Sequence, residues 1–323
     1  MKKIVFNGFR HGHINGLYGV VKASPEMEIV GCYEPNDEAR ERASKQLKAD
    51  ISGEGYAEML KQADIVAIGG RYGERGSAII EALKNGKHVI ADKPICTSLS
   101  EFEEIKKLST EKKLSVIIML DLRYCGATQV AKYILDSGEL GEVRNVSFTG
   151  QHCLDYGKRP MWYFEEGMHG GTVNDIAIHG IDLVRYLTGM NVTEADAVRT
   201  WNSYAKEEPH FKDCAIFMAR LENGAGLMAD VSYSSPSAEL SIPSYWEFRF
   251  WCEHGMFEFN YGTPLVKLYK KGESVVKNVW GDAEDNIWLT DLLYEIETGD
   301  HSITDGMLES SRQTLWLQNQ AKD

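Results

Sequence analysis

Short apolar runs alternate with amphipathic stretches through the first third of the chain, and that alternation limits the fold more than any other feature. Residues 4–6, 28–32, 65–68, 88–90 and 115–119 read as buried strands, and 16–23, 37–48, 76–85 and 99–111 carry helical periodicity between them. Asn85-Gly86 supplies a helix stop. Strands alternating with helices at this spacing imply βαβ units and a parallel sheet, and right-handed crossovers wind helices onto both of its faces. A doubly wound parallel sheet is therefore expected over residues 1–121.

The texture changes near residue 122. A helix at 128–137 is followed by a strand at 142–152, a loop rich in Gly, Pro and aromatics at 154–168, and an amphipathic helix at 174–187 that stops at Thr188-Gly189. Strand-like segments dominate from there: 194–201, 213–221, 225–233, 246–252, 256–260, 265–269 and 274–280. Several alternate, as in Trp246-Glu-Phe-Arg-Phe-Trp, which fits a sheet with two different faces. A helix at 304–320 closes the chain. Residues 122–323 are thus expected to form an α+β domain with a large, mostly antiparallel open sheet. Phe248, Phe250, Phe257 and Phe259 give that sheet an apolar face, which predicts self-association. Two domains also suit 323 residues.

A formal net charge of −13 argues against nucleic acid and anionic membrane surfaces as partners, because both need clustered Lys and Arg. One small anionic ligand remains compatible. The apolar run at the N-terminus stops after Phe6, short of the roughly 7–15 residues of a signal-peptide core. No stretch approaches the ~20 apolar residues of a membrane span. The 6 cysteines are scattered without a C-x-x-C pair, which predicts reduced, mostly buried thiols and a cytoplasmic location.

Four motifs carry chemistry. The turn after the first strand reads Asn7-Gly8-Phe9-Arg10-His11-Gly12-His13. Gly8 fits the first position of a G-x-G-x-x-G dinucleotide turn, and Arg10 stands at the second. Arg10 and His11 offer a phosphate positive charge in place of close backbone approach. Glu34, at the end of the second strand, suits a ribose 2′-hydroxyl and repels a 2′-phosphate, which favours NAD over NADP. In Gly86-Lys-His-Val-Ile-Ala-Asp92-Lys93-Pro94, a strand delivers a lysine to its carboxyl end, where open α/β sheets bind ligands. Fourth, Asp175, His179 and Asp182 fall at i, i+4 and i+7, which places them on one helical face. There Asp182 is expected to orient the His179 ring while Asp175 faces substrate. Each motif alone also has a bland reading: a plain turn, a capping acid, a surface lysine, a hydrogen-bonded stripe. No second histidine sits at ligand spacing on that helix, so no metal is expected. His11, His13, His152 and His169 read as isolated, with structural roles.

Taken together, the Lys-Pro block, the block from Gly170 to Leu183 and the Ser137-Gly-Glu-Leu-Gly-Glu-Val-Arg run resemble the glucose–fructose oxidoreductase / inositol dehydrogenase (Gfo/Idh/MocA) family over nearly the whole chain. The resemblance implies a Rossmann domain followed by a sheet domain that often mediates homodimers or homotetramers. It implies hydride transfer between a nicotinamide cofactor and a secondary alcohol of a sugar or cyclic polyol. It makes Lys93, Asp175 and His179 the catalytic set, with His179 as base. Arg123, Trp162 and Tyr163 join them as substrate-binding residues. The cofactor side is expected to include Gly8, Phe9, Arg10, His11, Glu34, Arg71, Arg75, Asp92 and Lys93. The chain departs from the family there: Asp92 stands where Glu is usual, Arg75 where His is usual, and Arg10 replaces a glycine. Two other readings stay open, an NAD-using glycoside-cleaving enzyme of the same fold and a non-catalytic NAD- or sugar-binding regulator.

Overall fold

The computed structural model describes residues 1–238, 242, 244–283 and 287–322. The chain divides into two compact units, Met1–Met119 with Asn286–Glu309 and Leu120–Asp285 with Ser310–Asp323. The sequence placed a boundary after residue 121 and assigned everything beyond it to the second part; residues 287–309 group with the first unit.

In the first unit, strands β1 (Lys2–Asn7), β2 (Met27–Tyr33), β3 (Ile65–Ile68), β4 (His88–Ala91) and β5 (Val116–Ile118) form one sheet. Its order is β2-β1-β3-β4-β5 and every pairing is parallel. Ile4, Val5, Phe6, all of β3 and Val116–Ile118 are fully buried, as strands covered on both faces must be. Helices α1 (His13–Ala23), α2 (Asp37–Leu47), α3 (Tyr56–Gln62), α4 (Tyr72–Lys84) and α5 (Leu99–Lys112) connect them. The α2 start is capped by Asn36, whose side chain accepts the Ala39 N–H at 3.0 Å, and α5 opens with Ser98 accepting from Glu101 N–H. The seven-residue α3 follows Gly55 at φ +80° and is too short to show a period.

In the second unit, α6 (Gly126–Asp136) precedes β6 (Val143–Cys153), and α7 (Ile178–Thr188) precedes β7 (Val192–Trp201), β8 (Cys214–Leu221) and β9 (Gly226–Ser235). Four short strands follow: β10 (Glu247–Cys252), β11 (Gly255–Asn260), β12 (Leu265–Lys270) and β13 (Lys277–Trp280). These eight strands make one sheet of order β13-β12-β11-β10-β6-β9-β8-β7, parallel at β6/β9 and antiparallel elsewhere. Helices α8 (Ile287–Thr298) and α9 (Ser302–Asn319) end the chain, and the division between units falls inside α9.

One face of this sheet is covered. α6 lies against β11, β12 and β13, and α7 against β6. A Cβ on Gly180 would meet the Phe148 ring at 2.2 Å, so glycine lets α7 close onto β6. Phe248, Phe250, Phe257 and Phe259 point to this covered side and are core. The exposed apolar side chains expected from them are instead Ile216, Met218, Met228 and Trp251, on the opposite face. Alternation announces two faces; the helices decide which is buried. Among the described residues, no helix is long and apolar enough to cross a membrane. Cys32, Cys96 and Cys214 are buried as expected, whereas Cys125, Cys153 and Cys252 are partly exposed.

Candidate functional site

The first unit gathers polar residues at the carboxyl ends of its strands. Gly8 follows β1 at φ +89°, and a Cβ there would meet the Gly70 backbone N at 2.6 Å and its Cα at 2.7 Å. Only glycine fits this turn. The Arg10 N–H then donates to the Gly69 carbonyl at 2.9 Å. Beside the turn lies a cleft of about 340 Å³, lined by Gly8, Arg10, Glu34, Asn36, Arg71 and Arg75 among others. Glu34 is fully buried: Oε2 accepts the Phe9 N–H at 2.7 Å, Oε1 accepts the Asn36 N–H at 3.0 Å, and Arg10 Nη1 stands 4.0 Å away. Arg71 pairs with Glu74, one turn on.

Asp92, just past β4, is the hub of this corner. Its Oδ1 accepts the Lys93 N–H at 2.8 Å and its Oδ2 accepts Arg75 Nη2 at 2.9 Å. His11 Nδ1 lies 2.6 Å from Oδ2 and His13 Nδ1 lies 3.0 Å from Oδ1. Burial alone would raise the Asp92 carboxyl, but Arg75, His11 and His13 outweigh it and hold the group well below the carboxylate range. Burial also pushes His11 down to about 4, so its ring is neutral at physiological pH. The two histidines that read as isolated are therefore joined through one carboxylate. Together with it they bring one ligand atom each within 4.8 Å of one another, the spacing of a metal site, although Arg75 already occupies that carboxylate.

Arg75 is spent inside the protein. Its Nε donates to the Gly70 carbonyl at 2.9 Å, and its Nη1 to the carbonyls of Lys93 and of Pro94, the latter at 3.2 Å. The guanidinium also sits over the Tyr72 ring, 4.5 Å from its centroid. Arg75 thus braces the loop that carries Lys93, whose preceding Asp92 it also grips. Lys93 is buried, with Nζ 6.0 Å from the Tyr72 centroid, and the Lys93-Pro94 peptide is cis.

In the second unit, Asp175 and His179 are not on one regular helix. Residues Val173–Ala177 form a π-helical turn, and α7 begins after it. Such turns redirect side chains and recur at functional sites. Asp175 is buried; Tyr233, on β9, donates its hydroxyl to Asp175 Oδ2. His169 Nε2 lies 2.8 Å from the Tyr233 oxygen and 3.3 Å from the same Oδ2. His179 is buried with Nδ1 3.4 Å from Asp121 Oδ1 and its ring 5.3 Å from that of Trp246.

Asp182, expected to orient His179, instead takes Arg123 in a bidentate pair at 2.6 and 2.5 Å and accepts from Ser310 at 2.7 Å. Asp121 occupies the place beside His179, and Arg123 is committed to Asp182. Trp162 and Tyr163 sit in a 3₁₀ turn, Met161–Phe164, both buried, with ring centroids 4.1 Å apart. Arg159 lies over the rings of Tyr163 at 4.6 Å and Tyr233 at 5.2 Å. Sequence reasoning missed Tyr233, Asp121 and Arg159. Tyr233 closed a segment read only as a strand, and nothing in spacing links it to Asp175, 58 residues earlier.

Known proteins bear on both units. Residues 3–120 match the oxidoreductase family with an NAD-binding Rossmann fold, and residues 128–258 match the GFO/IDH/MocA C-terminal domain. A scyllo-inositol 2-dehydrogenase (NAD(+)) of Bacillus subtilis is 27% identical over 220 residues, 67% of this chain and 63% of the relative. A levoglucosan dehydrogenase of Pseudarthrobacter phenanthrenivorans is 26% identical over 186 residues, 55% of this chain and 47% of the relative. The matched region thus spans about half to two thirds of these relatives. A solved structure from Erwinia carotovora atroseptica superposes with a TM-score of 0.89 at 19% identity, covering 100% of this chain and 99% of its own, which shows the fold alone. With both halves matched in order, the chain belongs to the Gfo/Idh/MocA family of oxidoreductases.

Proposed function

We propose that the protein transfers a hydride between a nicotinamide cofactor and a secondary alcohol of a sugar or cyclic polyol. The observation that carries this reading is the buried pair of Asp175, on the π-turn, and His179, on α7 just after it, with Tyr233 and Asp121 beside them, in a chain whose first unit presents Lys93 at a strand end. The cofactor fits the cleft beside Gly8. The missing Cβ leaves room at the turn, the α1 N-terminus follows it, and Glu34, which lines the cleft, supplies the acid we assign to a ribose diol. A nicotinamide held by the residues lining this cleft would supply the hydride acceptor or donor for the carbinol carbon.

The chain's own residues do the rest. His179 takes the hydroxyl proton as the hydride leaves. The Lys93 ammonium stabilises the alkoxide that develops. Asp175 accepts a neighbouring substrate hydroxyl and fixes the ring. NAD is favoured over NADP, because the arginines named in the cleft lining already face acids: Arg10 near Glu34, Arg71 at Glu74 and Arg75 at Asp92. The names of the two relatives support a sugar or polyol substrate and, for one of them, NAD. We also propose self-association through the exposed face of the eight-stranded sheet.

The test is a thermal-shift screen with NAD, NADP and a panel of sugars and polyols, followed by turnover with the hits. Lys93→Ala and His179→Ala are expected to lower kcat/KM by roughly 10²-fold or more. Folded His179→Ala protein turning over at the wild-type rate would remove the assigned base.

A further inference from the structure

Asp175 is held from behind by two residues that the reaction as described does not use. Tyr233 gives its hydroxyl proton to Asp175 Oδ2. A phenol that has donated its one proton can only accept, so His169 Nε2, 2.8 Å from the Tyr233 oxygen, carries the hydrogen between them. The donor order therefore runs from His169 to Tyr233 to Asp175, and the 3.3 Å approach of His169 Nε2 to Oδ2 reinforces it. All three side chains are buried. Burial, and then the Asp175 charge, push the Tyr233 phenol well above its ordinary value, so it stays a donor at any physiological pH.

The two donors are themselves fixed. The Phe211 ring meets the His169 ring edge to face at 4.7 Å, and Arg159 lies over Tyr233. Arg159 in turn donates to the carbonyls of Leu154 at 2.8 Å and Cys153 at 2.7 Å. The Asp175 backbone is anchored separately, its N–H donating to the Gly171 carbonyl at 3.0 Å.

We infer that Tyr233 and His169 are positioning residues for Asp175: by committing Oδ2 to protein donors they set the direction in which the carboxylate meets a substrate hydroxyl. The inference rests on the reading of Asp175 as a substrate-binding group. It also narrows that reading. With Oδ2 already accepting from protein donors, the carboxylate presents its other oxygen as an acceptor, so the group it meets on the substrate is a hydroxyl rather than a carbonyl.

The experiment measures kcat, KM and unfolding temperature for the full-length protein and for Asp175→Asn, Tyr233→Phe, their double variant, His169→Gln and His169→Ala. Tyr233→Phe is expected to lower kcat/KM about tenfold or more, the range for losing a hydrogen bond to a charged group. The same change made on top of Asp175→Asn is expected to add almost nothing, because it acts through that carboxylate. His169→Gln, which keeps an N–H at the same reach, is expected to stay within about threefold of wild type, while His169→Ala reproduces the Tyr233→Phe loss. A purely structural role would lower activity equally in both backgrounds, and that result overturns the inference, as does wild-type kcat/KM in Tyr233→Phe. If Asp175→Asn is impaired and Tyr233→Phe is not, only the inference fails. If Asp175→Asn itself runs at the wild-type rate, the reading of Asp175 fails and the inference goes with it.

Discussion

Arg75 Nη2 donates to Asp92 Oδ2 at 2.9 Å, and both side chains are fully buried. Removing the cation would leave the buried carboxylate without its guanidinium partner. Breaking a buried pair from one side costs about 3–5 kcal/mol. Arg75→Met is therefore expected to lower unfolding stability by about that amount in urea titration. Arg75→Lys is expected to recover part of it, since one ammonium can pair with Asp92 but cannot also brace the Lys93 and Pro94 carbonyls. An Arg75→Met protein as stable as wild type would show that the pair contributes nothing net.

The same corner sets a pH dependence. His11 has its pKa lowered to about 4 in the folded protein, against an ordinary value near 6.5, so folding favours its neutral form. As pH falls below about 6.5, the unfolded chain takes up a proton that the folded one refuses, and stability declines until about pH 4. His88, pushed to about 4 by burial, adds to the same window. Asp92, depressed instead, contributes stability above the ordinary carboxylate range that is lost only at lower pH. The urea midpoint is expected to fall between pH 6.5 and pH 4, and less steeply in His11→Gln. Equal slopes in the two proteins would place the titration elsewhere.

Gly8 is the position where backbone shape and cofactor binding meet. At φ +89°, with the Gly70 backbone 2.6 Å from where a Cβ would stand, alanine forces the turn to move. Strain of this kind costs about 1–3 kcal/mol before the collision is counted. Gly8→Ala is expected to weaken NAD binding at least tenfold by calorimetry, with a modest drop in unfolding temperature. An unchanged dissociation constant would mean that the dinucleotide does not approach this turn.

Much of this architecture was legible because the determinants are local. Strands β1, β3 and β4 are buried on both faces and therefore appear as unbroken apolar runs, and the glycine stop after α4 is a property of two residues. What stayed hidden depends on contacts distant in sequence. Spacing placed Asp175, His179 and Asp182 on one stripe, but a π-turn intervenes, and Arg123, 59 residues away from Asp182, claims the third member. His11 and His13 looked isolated because their partner Asp92 lies about 80 residues later, on another strand end. The phenylalanines of β10 and β11 were assigned to an outer face because a strand's own pattern does not reveal where α6 and α7 will lie.

The outer face itself gives the last expectation. Met218 on β8 lies directly opposite Met228 on β9, and Met228 neighbours Ser147 on β6, which neighbours Arg249 on β10. Ile216 and Trp251 extend this strip, and Met218, Met228 and Trp251 are 51%, 50% and 49% exposed. The strip borders a hollow of about 360 Å³ that also takes in Arg199, Asp230 and Arg249, so charges of both signs flank an apolar centre. An isologous pairing can place such a surface against itself, apolar centre on apolar centre, with Asp230 of each copy able to meet an arginine of the other. The wild-type protein is expected to be a dimer or tetramer by light scattering at micromolar concentration. Met218→Asp combined with Met228→Asp sets like charges opposite each other at the centre of that contact and is expected to raise its dissociation constant about tenfold or more, with the fold intact by circular dichroism. A wild-type monomer, or a double variant that assembles as tightly as wild type, would mean that copies do not meet through this face.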